Sequence, residues 1–301
     1  MDKKINVVIV GAGVAGMTAA IYLKRAGINC TIIENMVPGG QILKAFKVEN
    51  YPGFMQISGS ELSNNIFEQV KKLHIDYIKD EVVKIEDDKK VVLKSGNIIE
   101  TDNVIIATGR RPKKLNVPNL NKFLGKGLSY CATCDGRFFK DQDVLVVGGS
   151  NSALEEALYL ANICKSVTII HRRDELRADR CYQDEALGLD NVTIKYNTKV
   201  KELISDGVKL DSVIMEVDGN EEKLKVAGCF SSIGYEPNTD FIYETLDLND
   251  EGYIKIDDKY MTNRDGIYAI GDVVKKESYL LLTAMSDAVN VASIIINNKD
   301  A

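Results

Sequence analysis

The sequence predicts an α/β fold built around two copies of one strand–helix–strand unit. In the first copy, an apolar strand at 5–10 runs into the turn GAGVAG at 11–16, and a helix follows. In the second copy, the strand at 143–147 runs into GGSNSA at 148–153, and a helix again follows. Such βαβ units are typical of dinucleotide-binding folds, so the sequence predicts two Rossmann-like nucleotide-binding domains, each with a parallel sheet.

The remaining elements complete these two domains. Apolar patterning predicts helices to about Arg25, to about Ile163 and from about Thr283 to Asn297. It predicts strands at 30–34, 103–109, 166–170, 228–233 and 266–272. Turn residues at 94–97 and 218–220 predict antiparallel meanders over 82–99 and within 192–230. The simplest partition assigns 1–113 and 239–301 to the first domain. Residues 114–238 form the second domain, inserted in the first, so each domain has a small antiparallel β meander.

Composition excludes several functional classes. The chain has 301 residues and a net charge of −6, without the basic stripe that indicates nucleic-acid binding. No apolar run approaches the ~20 residues needed to span a bilayer, and the run after Lys4 is too short for a signal peptide. We therefore expect a cytoplasmic protein with no nucleic-acid and no membrane partner.

Cys30, Cys164 and Cys229 lie in apolar segments and are expected to be buried, whereas Cys181 lies in a polar stretch and is expected to be exposed.

The first glycine-rich turn has the context of a dinucleotide site. Gly11 allows the tight turn, Gly13 lets a pyrophosphate approach the backbone, and Gly16 lets the helix pack on the strand. Glu34 ends the next strand, 18 residues after Gly16, where a carboxylate accepts hydrogen bonds from ribose hydroxyls and repels a 2′-phosphate. The complete context disfavours the alternative of a glycine-rich turn without a ligand.

The second unit carries the opposite charge at the corresponding place. The segment HRRDELR at 171–177 follows the strand 166–170. Arginine forks suit phosphate oxygens, so Arg172, Arg173 and Arg177 favour NADP over NAD. The alternative is a solvated basic helix start whose arginines pair with the neighbouring acids of the same segment.

One residue departs from the fingerprint in this second unit. Ser150 stands where the third glycine is expected, and its Cβ could hold the pyrophosphate away from the backbone. Asn151 and Ser152 are predicted to cap the helix that follows.

A CxxC pair, Cys131 and Cys134, lies between the two fingerprints. Structural zinc needs about four ligands, but the chain has no second CxxC and two isolated histidines, His74 and His171. A redox pair needs a thiolate, a resolving thiol and a proton donor, and Asp135 is the best candidate acid. An inert, buried pair is the third possibility. The pattern favours a disulfide oxidoreductase that reduces an external disulfide by exchange.

Many ordered segments resemble the low-molecular-weight bacterial-type thioredoxin reductases, within the flavoprotein pyridine nucleotide-disulfide oxidoreductases. The similarity extends over nearly the full length. The matching segments are 11–16, 38–41, 48–53, 107–109, 130–136, 155–160, 171–177, 233–234 and 269–273.

The resemblance implies FAD in the first domain, NADPH in the second and thioredoxin as the partner. Cys134 would face the flavin, Cys131 would attack the thioredoxin disulfide, and Asp135 would supply the proton. The implied FAD contacts are Gly11, Gly13, Ala15, Gly16, Glu34, Gly40, Gln41, Asn50, Val83, Ala107, Thr108, Gly109, Gly271 and Asp272. The implied NADPH contacts are Gly148, Gly149, Ser150, Asn151, Ser152, His171, Arg172, Arg173, Arg177 and Ile233. A homodimer is also implied, with rotation of the nucleotide domain about hinges near 113–115 and 235–238.

The chain departs from this family near the expected flavin. Where the family usually has an Arg-Gln pair, the chain reads SYLLLT at 278–283, and 284–288 lack the glycines usual at the start of the last helix. More apolar flavin surroundings are expected, so reduced ferredoxin is kept as an alternative electron donor to NADPH. A non-catalytic, flavin-binding redox sensor is a further alternative.

Overall fold

The computed structural model describes residues 6–45 and 47–299, so Ile5, predicted to begin the first strand, lies outside the described residues. The helices are α1 (Val14–Arg25), α2 (Gly59–Lys72), α3 (Ala132–Asp135), α4 (Asn151–Ala161), α5 (Arg180–Leu187) and α6 (Leu281–Lys299). The strands are β1 (Val7–Val10), β2 (Cys30–Glu34), β3 (Asp76–Lys79), β4 (Val82–Ile85), β5 (Lys90–Leu93), β6 (Ile98–Glu100), β7 (Asn103–Ile106), β8 (Arg110–Pro112), β9 (Leu128–Ser129), β10 (Asp143–Val147), β11 (Ser166–Ile170), β12 (Val192–Lys195), β13 (Thr198–Ser205), β14 (Leu210–Val217), β15 (Asn220–Lys225), β16 (Gly228–Ser231), β17 (Tyr235–Pro237) and β18 (Ile267–Ala269).

The chain forms two compact units. It leaves the first unit after Arg111 and returns to it at Glu236, so Pro112–Tyr235 form the second unit as an insertion. The predicted domain boundaries, after residues 113 and 238, lie two and three residues further along the chain than these.

In the first unit, a five-stranded sheet has the order β18-β7-β1-β2-β3, and β1 pairs in parallel with both neighbours. Both faces of this sheet are covered, which explains the continuous apolar run of β1. Val7 and Ile9 pack among residues of α1, α2 and α6. Val8 and Val10 face the antiparallel sheet β4-β5-β6, where Val82 and Ile85 are buried with them.

The second unit repeats this plan. Its parallel sheet has the order β12-β11-β10-β16-β9, and a separate antiparallel sheet is formed by β13, β14 and β15. Val144 and Val146 of β10 pack with α4, whereas Leu145 and Val147 pack with the antiparallel sheet. The predicted fold class, an α/β fold with two Rossmann-like domains and a small antiparallel meander in each, is confirmed.

Several element boundaries differ from the prediction. The strand β12, placed by the sequence with the second meander, instead pairs in parallel with β11. The helix α6 begins at Leu281 rather than Thr283, because the Thr283 hydroxyl accepts from the amide of Leu280 and closes the start of the helix. The helices α2 and α5 were not predicted.

Cys30, Cys164 and Cys229 are buried and Cys181 is exposed, as predicted. Within the described part of the chain, no helix is both long enough and apolar enough to cross a bilayer.

Candidate active site

The cysteine pair lies on α3, a single helical turn that begins just after β9. Cys131 is the N-cap residue, and its sulfur accepts a hydrogen bond from the amide of Cys134 at 3.2 Å. The two sulfurs form a disulfide, and the two Cα atoms are 5.4 Å apart. In this oxidised state Cys131 is buried and Cys134 is exposed. The pair is therefore preformed as a disulfide within one helical turn.

The candidate acid is fixed by a residue that sequence reasoning missed. The Ser129 hydroxyl donates to Oδ2 of Asp135 at 2.6 Å, and the amide of Cys131 donates to the Ser129 oxygen at 3.0 Å. Ser129 is buried and belongs to β9, which pairs in parallel with β16. One hydroxyl thus links the carboxylate of Asp135 to the backbone of the cysteine pair. In the sequence, the only indication of a role for Ser129 was that it directly precedes the matching segment 130–136.

Two consecutive phenylalanines follow the pair and behave differently. The ring of Phe139 packs edge-on against Phe230, with centroids 5.4 Å apart. The side chain of Phe138 is 77% exposed. The Phe138 ring therefore stands in solvent four residues after Cys134.

The first glycine fingerprint is packed as a dinucleotide site requires. A Cβ on Gly16 would lie 2.0 Å from the carbonyl oxygen of Gly11, and Gly11 itself has φ +108°. At Gly13, by contrast, a Cβ would meet no atom within 4 Å, so there is open space over the turn. No side chain caps α1, which leaves its first amide groups available to an anion. These features fit the pyrophosphate of a dinucleotide.

Other predicted FAD residues surround this turn. Glu34 accepts from the amides of Ala12 at 2.9 Å and Met36 at 2.8 Å, which fixes its carboxylate at the end of β2. Gly39 donates to the carbonyl of Ala12 at 2.8 Å, and this contact brings Gly40 beside Gly13.

The strands β7 and β18 bring further residues to the same edge of the sheet. The carbonyl of Ala107 lies against Gly11, and a Cβ on Gly271 would lie 3.0 Å from Cβ of Ala15. After β7, the Thr108 hydroxyl donates to the carbonyl of Asn238 at 2.8 Å, and the Asn238 side-chain amide donates back to the Thr108 carbonyl at 2.8 Å. The amide of Asn238 also donates to the carbonyl of Gly109 at 3.0 Å.

Three predicted FAD residues lie on other elements. Gln41 is half-buried in the short helical turn Gly40–Lys44, and Asn50 lies in an exposed loop. Val83 is on β4 and lines a groove of about 480 Å³ with Asp240 and Tyr243. The structure therefore brings the fingerprint, Glu34, Gly40, Ala107 and Gly271 together, and the FAD contacts of Asn50 and Val83 stay predictions.

The second fingerprint is equally close-packed. A Cβ on Gly148 would lie 2.4 Å from the carbonyl oxygen of Ser232, and one on Gly149 would lie 2.5 Å from the ring of His171. The amide of Arg177 donates to the carbonyl of Gly149 at 2.7 Å, so the arginine segment lies directly against the turn. Ile233, 37% exposed, lies two residues beyond the end of β16.

The predicted caps of α4 were wrong. Ser150 is the N-cap residue, and its side chain makes no capping hydrogen bond. Asn151 instead exchanges hydrogen bonds with Asp179: its side-chain amide donates to the carboxylate at 2.8 Å, and its oxygen accepts from the Asp179 amide at 2.7 Å. Because Asn151 holds the loop before α5, the first turn of α4 is left uncapped for a ligand.

The charged groups beside this turn are not paired with one another. Arg172, Arg173 and Arg177 are exposed, and none forms an ion pair with another described residue. The ion pairs of these arginines with Asp174 and Glu175, which the alternative interpretation requires, are therefore not formed among the described residues. The segment 171–179 is also not helical.

His171 is buried, and its Nε2 has no hydrogen-bond partner among the described residues. Burial, and then the positive charges of Arg177, Arg173 and Arg172, lower the pKa of His171. A buried orphan nitrogen and unpaired guanidiniums fit a phosphorylated nucleotide.

The fold and these sites define the class of protein. A model of the pyridine nucleotide-disulphide oxidoreductase family matches residues 5–288, and the chain belongs to this family. It is 42% identical to the thioredoxin reductase of Bacillus subtilis over 291 residues, which is 95% of this chain and 92% of that protein. It is 41% identical to the thioredoxin reductase of Listeria innocua over 290 residues, 95% of this chain and 91% of that protein.

Solved structures agree with these relatives. The crystal structure of Lactococcus lactis thioredoxin reductase has a TM-score of 0.91 at 37% identity, over 98% of each chain. The thioredoxin reductase of T. acidophilum has a TM-score of 0.90 at 32% identity, over 100% of each chain. The family resemblance stated from the sequence is confirmed.

Proposed function

We propose that this protein is a thioredoxin-disulfide reductase that passes electrons from NADPH through FAD and the Cys131–Cys134 disulfide to thioredoxin. The single observation that carries the proposal is the preformed disulfide on α3 with Asp135 beside it. It occurs in a family whose members use FAD with NADPH as the donor, and in a chain with two dinucleotide fingerprints.

Residues of the first unit would hold FAD through the uncapped start of α1, Glu34 and the glycine turns after β7 and β18. Bound FAD would supply the two-electron carrier between the nicotinamide and the disulfide. Residues of the second unit would hold NADPH through the uncapped start of α4, with His171 and the exposed arginines at its phosphates.

The chain's own chemistry starts with cleavage of its disulfide. Two electrons and two protons convert the Cys131–Cys134 bond to two thiols, and Asp135 is placed to donate a proton. The Cys131 thiolate then attacks the thioredoxin disulfide, forming a mixed disulfide and releasing one thioredoxin thiol. Cys134 attacks that mixed disulfide, so reduced thioredoxin leaves and the Cys131–Cys134 bond is restored.

The exposed Phe138 supports a protein rather than a small molecule as the electron acceptor. It lies four residues after Cys134 and has no apolar cover within the described chain comparable to that of Phe139.

A homodimeric state and a cytoplasmic location are further parts of the proposal, supported by the family resemblance and by the acidic composition. Sedimentation of the FAD-loaded protein tests the oligomeric state.

The proposal predicts that Cys131→Ser or Cys134→Ser abolishes NADPH-driven thioredoxin reduction, because neither single thiol can complete the exchange. FAD content, measured by the flavin absorbance, should be unchanged. Cys181→Ser is the matched control, since Cys181 is exposed and lies outside the site. Full activity in the double serine variant would contradict the function.

The same variants distinguish the roles of the two sulfurs. Cys134→Ser should trap a mixed disulfide with thioredoxin through Cys131, detected as a band that reductant removes. Trapping by Cys131→Ser instead would reverse the two roles.

A further inference from the structure

A cation–carboxylate–aromatic cluster lies in the first unit, formed by Arg110, Asp272 and Tyr279. Arg110 Nε and Nη2 donate to Oδ2 of Asp272 at 3.3 and 3.1 Å. The guanidinium carbon of Arg110 lies 3.5 Å from the centroid of the Tyr279 ring. The guanidinium is therefore held on one side by a carboxylate and on another by an aromatic face.

The cluster is largely withdrawn from solvent. The side chains of Arg110 and Asp272 are 15% and 20% exposed, so their attraction is less screened than that of a surface pair. An arginine stacked on an aromatic ring while it hydrogen-bonds a carboxylate is fixed in orientation by two different interactions.

The Tyr279 side chain is itself fixed by two contacts. Its ring lies beside that of Tyr253, with centroids 6.1 Å apart, and its hydroxyl accepts from the amide of Lys276 at 3.4 Å. Burial, with a smaller contribution from Tyr253, raises the pKa of Tyr279 to about 12. The ring therefore remains a neutral phenol and presents its face to the cation.

The position of the cluster connects it to the expected flavin. Asp272 directly follows Gly271, which lies against Ala15 of the first fingerprint. Tyr279 belongs to the segment 278–283, where related reductases usually carry an Arg-Gln pair near the flavin. A guanidinium is thus present beside this segment, but it comes from β8.

We propose that Arg110 is a positioning residue for the flavin: it orients Asp272 toward the cofactor and supplies a guanidinium beside the segment 278–283. Tyr279 supports Arg110 from the position of the missing arginine. This inference rests on the proposed function, because it requires FAD in the first unit.

The test uses apoprotein reconstituted with FAD and followed by flavin fluorescence. Arg110→Ala should weaken FAD binding roughly tenfold, because Asp272 loses a charge-assisted partner. Tyr279→Leu should weaken it by a smaller factor, since only the stacking is lost. Arg110→Lys should restore part of the affinity, because a lysine keeps the charge but not the two-nitrogen contact or the planar stack.

The flavin midpoint potential is the second readout. Loss of a nearby positive charge disfavours the reduced flavin, so Arg110→Ala should shift the potential to a more negative value. A merely structural role would lower the melting temperature of the apoprotein and leave the potential unchanged. The combined variant Arg110→Ala with Tyr279→Arg should recover the potential.

Arg111→Ala is the matched control. Arg111 is the next residue, but it donates to Glu236 and Asp240 rather than to Asp272. Unchanged FAD affinity and potential in both Arg110→Ala and Tyr279→Leu would overturn the inference while leaving the proposed function intact. If Arg110→Ala fails to fold, Tyr279→Leu and Arg110→Lys decide by the same criteria. A wild-type protein that binds no FAD would overturn both.

Discussion

At the scale of single residues, Asp135, the candidate proton donor of the cysteine pair, is positioned by a hydroxyl that no motif marks. Ser129 is buried, and its one side-chain oxygen serves both Asp135 and the amide of Cys131. The serine therefore fixes the carboxylate relative to the disulfide. The oxygen lies on β9 and the carboxylate on α3, so this hydrogen bond joins the helix of the cysteine pair to the sheet.

Ser129→Ala should lower kcat for thioredoxin reduction by about tenfold, the effect expected from losing a hydrogen bond to a charged group. The rate of flavin reduction should be unchanged, because that step precedes proton delivery to the thiols. Ser129→Thr keeps the hydroxyl and should restore part of the rate.

The control for this prediction is Ser231→Ala. Ser231 is a buried serine on the neighbouring strand β16, and its hydroxyl has no hydrogen-bond partner among the described residues. Equal losses of activity in the Ser129 and Ser231 variants would mean that Ser129 contributes only to packing.

At the scale of elements, the start of α4 determines how closely a nucleotide can approach. Gly149 faces the His171 ring and has no room for a Cβ, whereas Ser150 already carries a side chain that caps nothing. The tight positions of this fingerprint are therefore Gly148 and Gly149, and the serine departure falls on neither of them.

Gly149→Ala should displace the His171 ring and weaken NADPH binding about tenfold, a loss within the ~1–3 kcal/mol typical of overpacking. Ser150→Gly, the matched control, should change NADPH affinity little. Titration of the protein with NADPH under anaerobic conditions measures both. A larger effect from Ser150→Gly than from Gly149→Ala would show that the serine, and not the packing at 149, limits the site.

The same elements show why part of the fold was predictable. Strands such as β1 and β10 are buried on both faces, so they appear as continuous apolar runs ending at glycine turns. The helix α5 is short and polar, and α2 was overlooked although Ser58 accepts from the amide of Glu61 in the manner of a helix cap. In α2 the buried residues Leu62, Ile66 and Val70 recur at helical spacing, so both its cap and its periodicity were present in the sequence, whereas α5 has neither signal.

The side-chain contacts of the site were not predictable in the same way. The Arg110–Asp272 pair joins residues 162 positions apart, and the chain path between them includes the whole second unit. The sequence identified the cysteine pair by its spacing and Asp272 by resemblance, but it indicated no role for Arg110 or Ser129, because local patterns do not report contacts between distant residues. Both missed residues act through a partner that the fold brings to them.

At the scale of the whole molecule, two units with one architecture carry opposite charges at the ends of their second strands. Glu34 ends β2 in the first unit, whereas His171 and three arginines follow β11 in the second. A carboxylate disfavours a 2′-phosphate and guanidiniums favour it, so one chain can distinguish FAD from NADPH although both sites use the same fold.

The electron donor is tested by mixing the FAD-loaded protein with excess NADPH in a stopped-flow instrument. The flavin absorbance should be lost, and replacing Arg172 and Arg173 by alanine should raise the NADPH concentration required by roughly tenfold per arginine. The NADH concentration required should change little in this variant, because NADH lacks the 2′-phosphate. Arg180→Ala is the control, since Arg180 is a nearby exposed arginine that pairs with Asp184. A flavin that NADPH leaves oxidised, but that reduced ferredoxin reduces, would assign the donor role to ferredoxin and make the unpaired arginines a surface feature only.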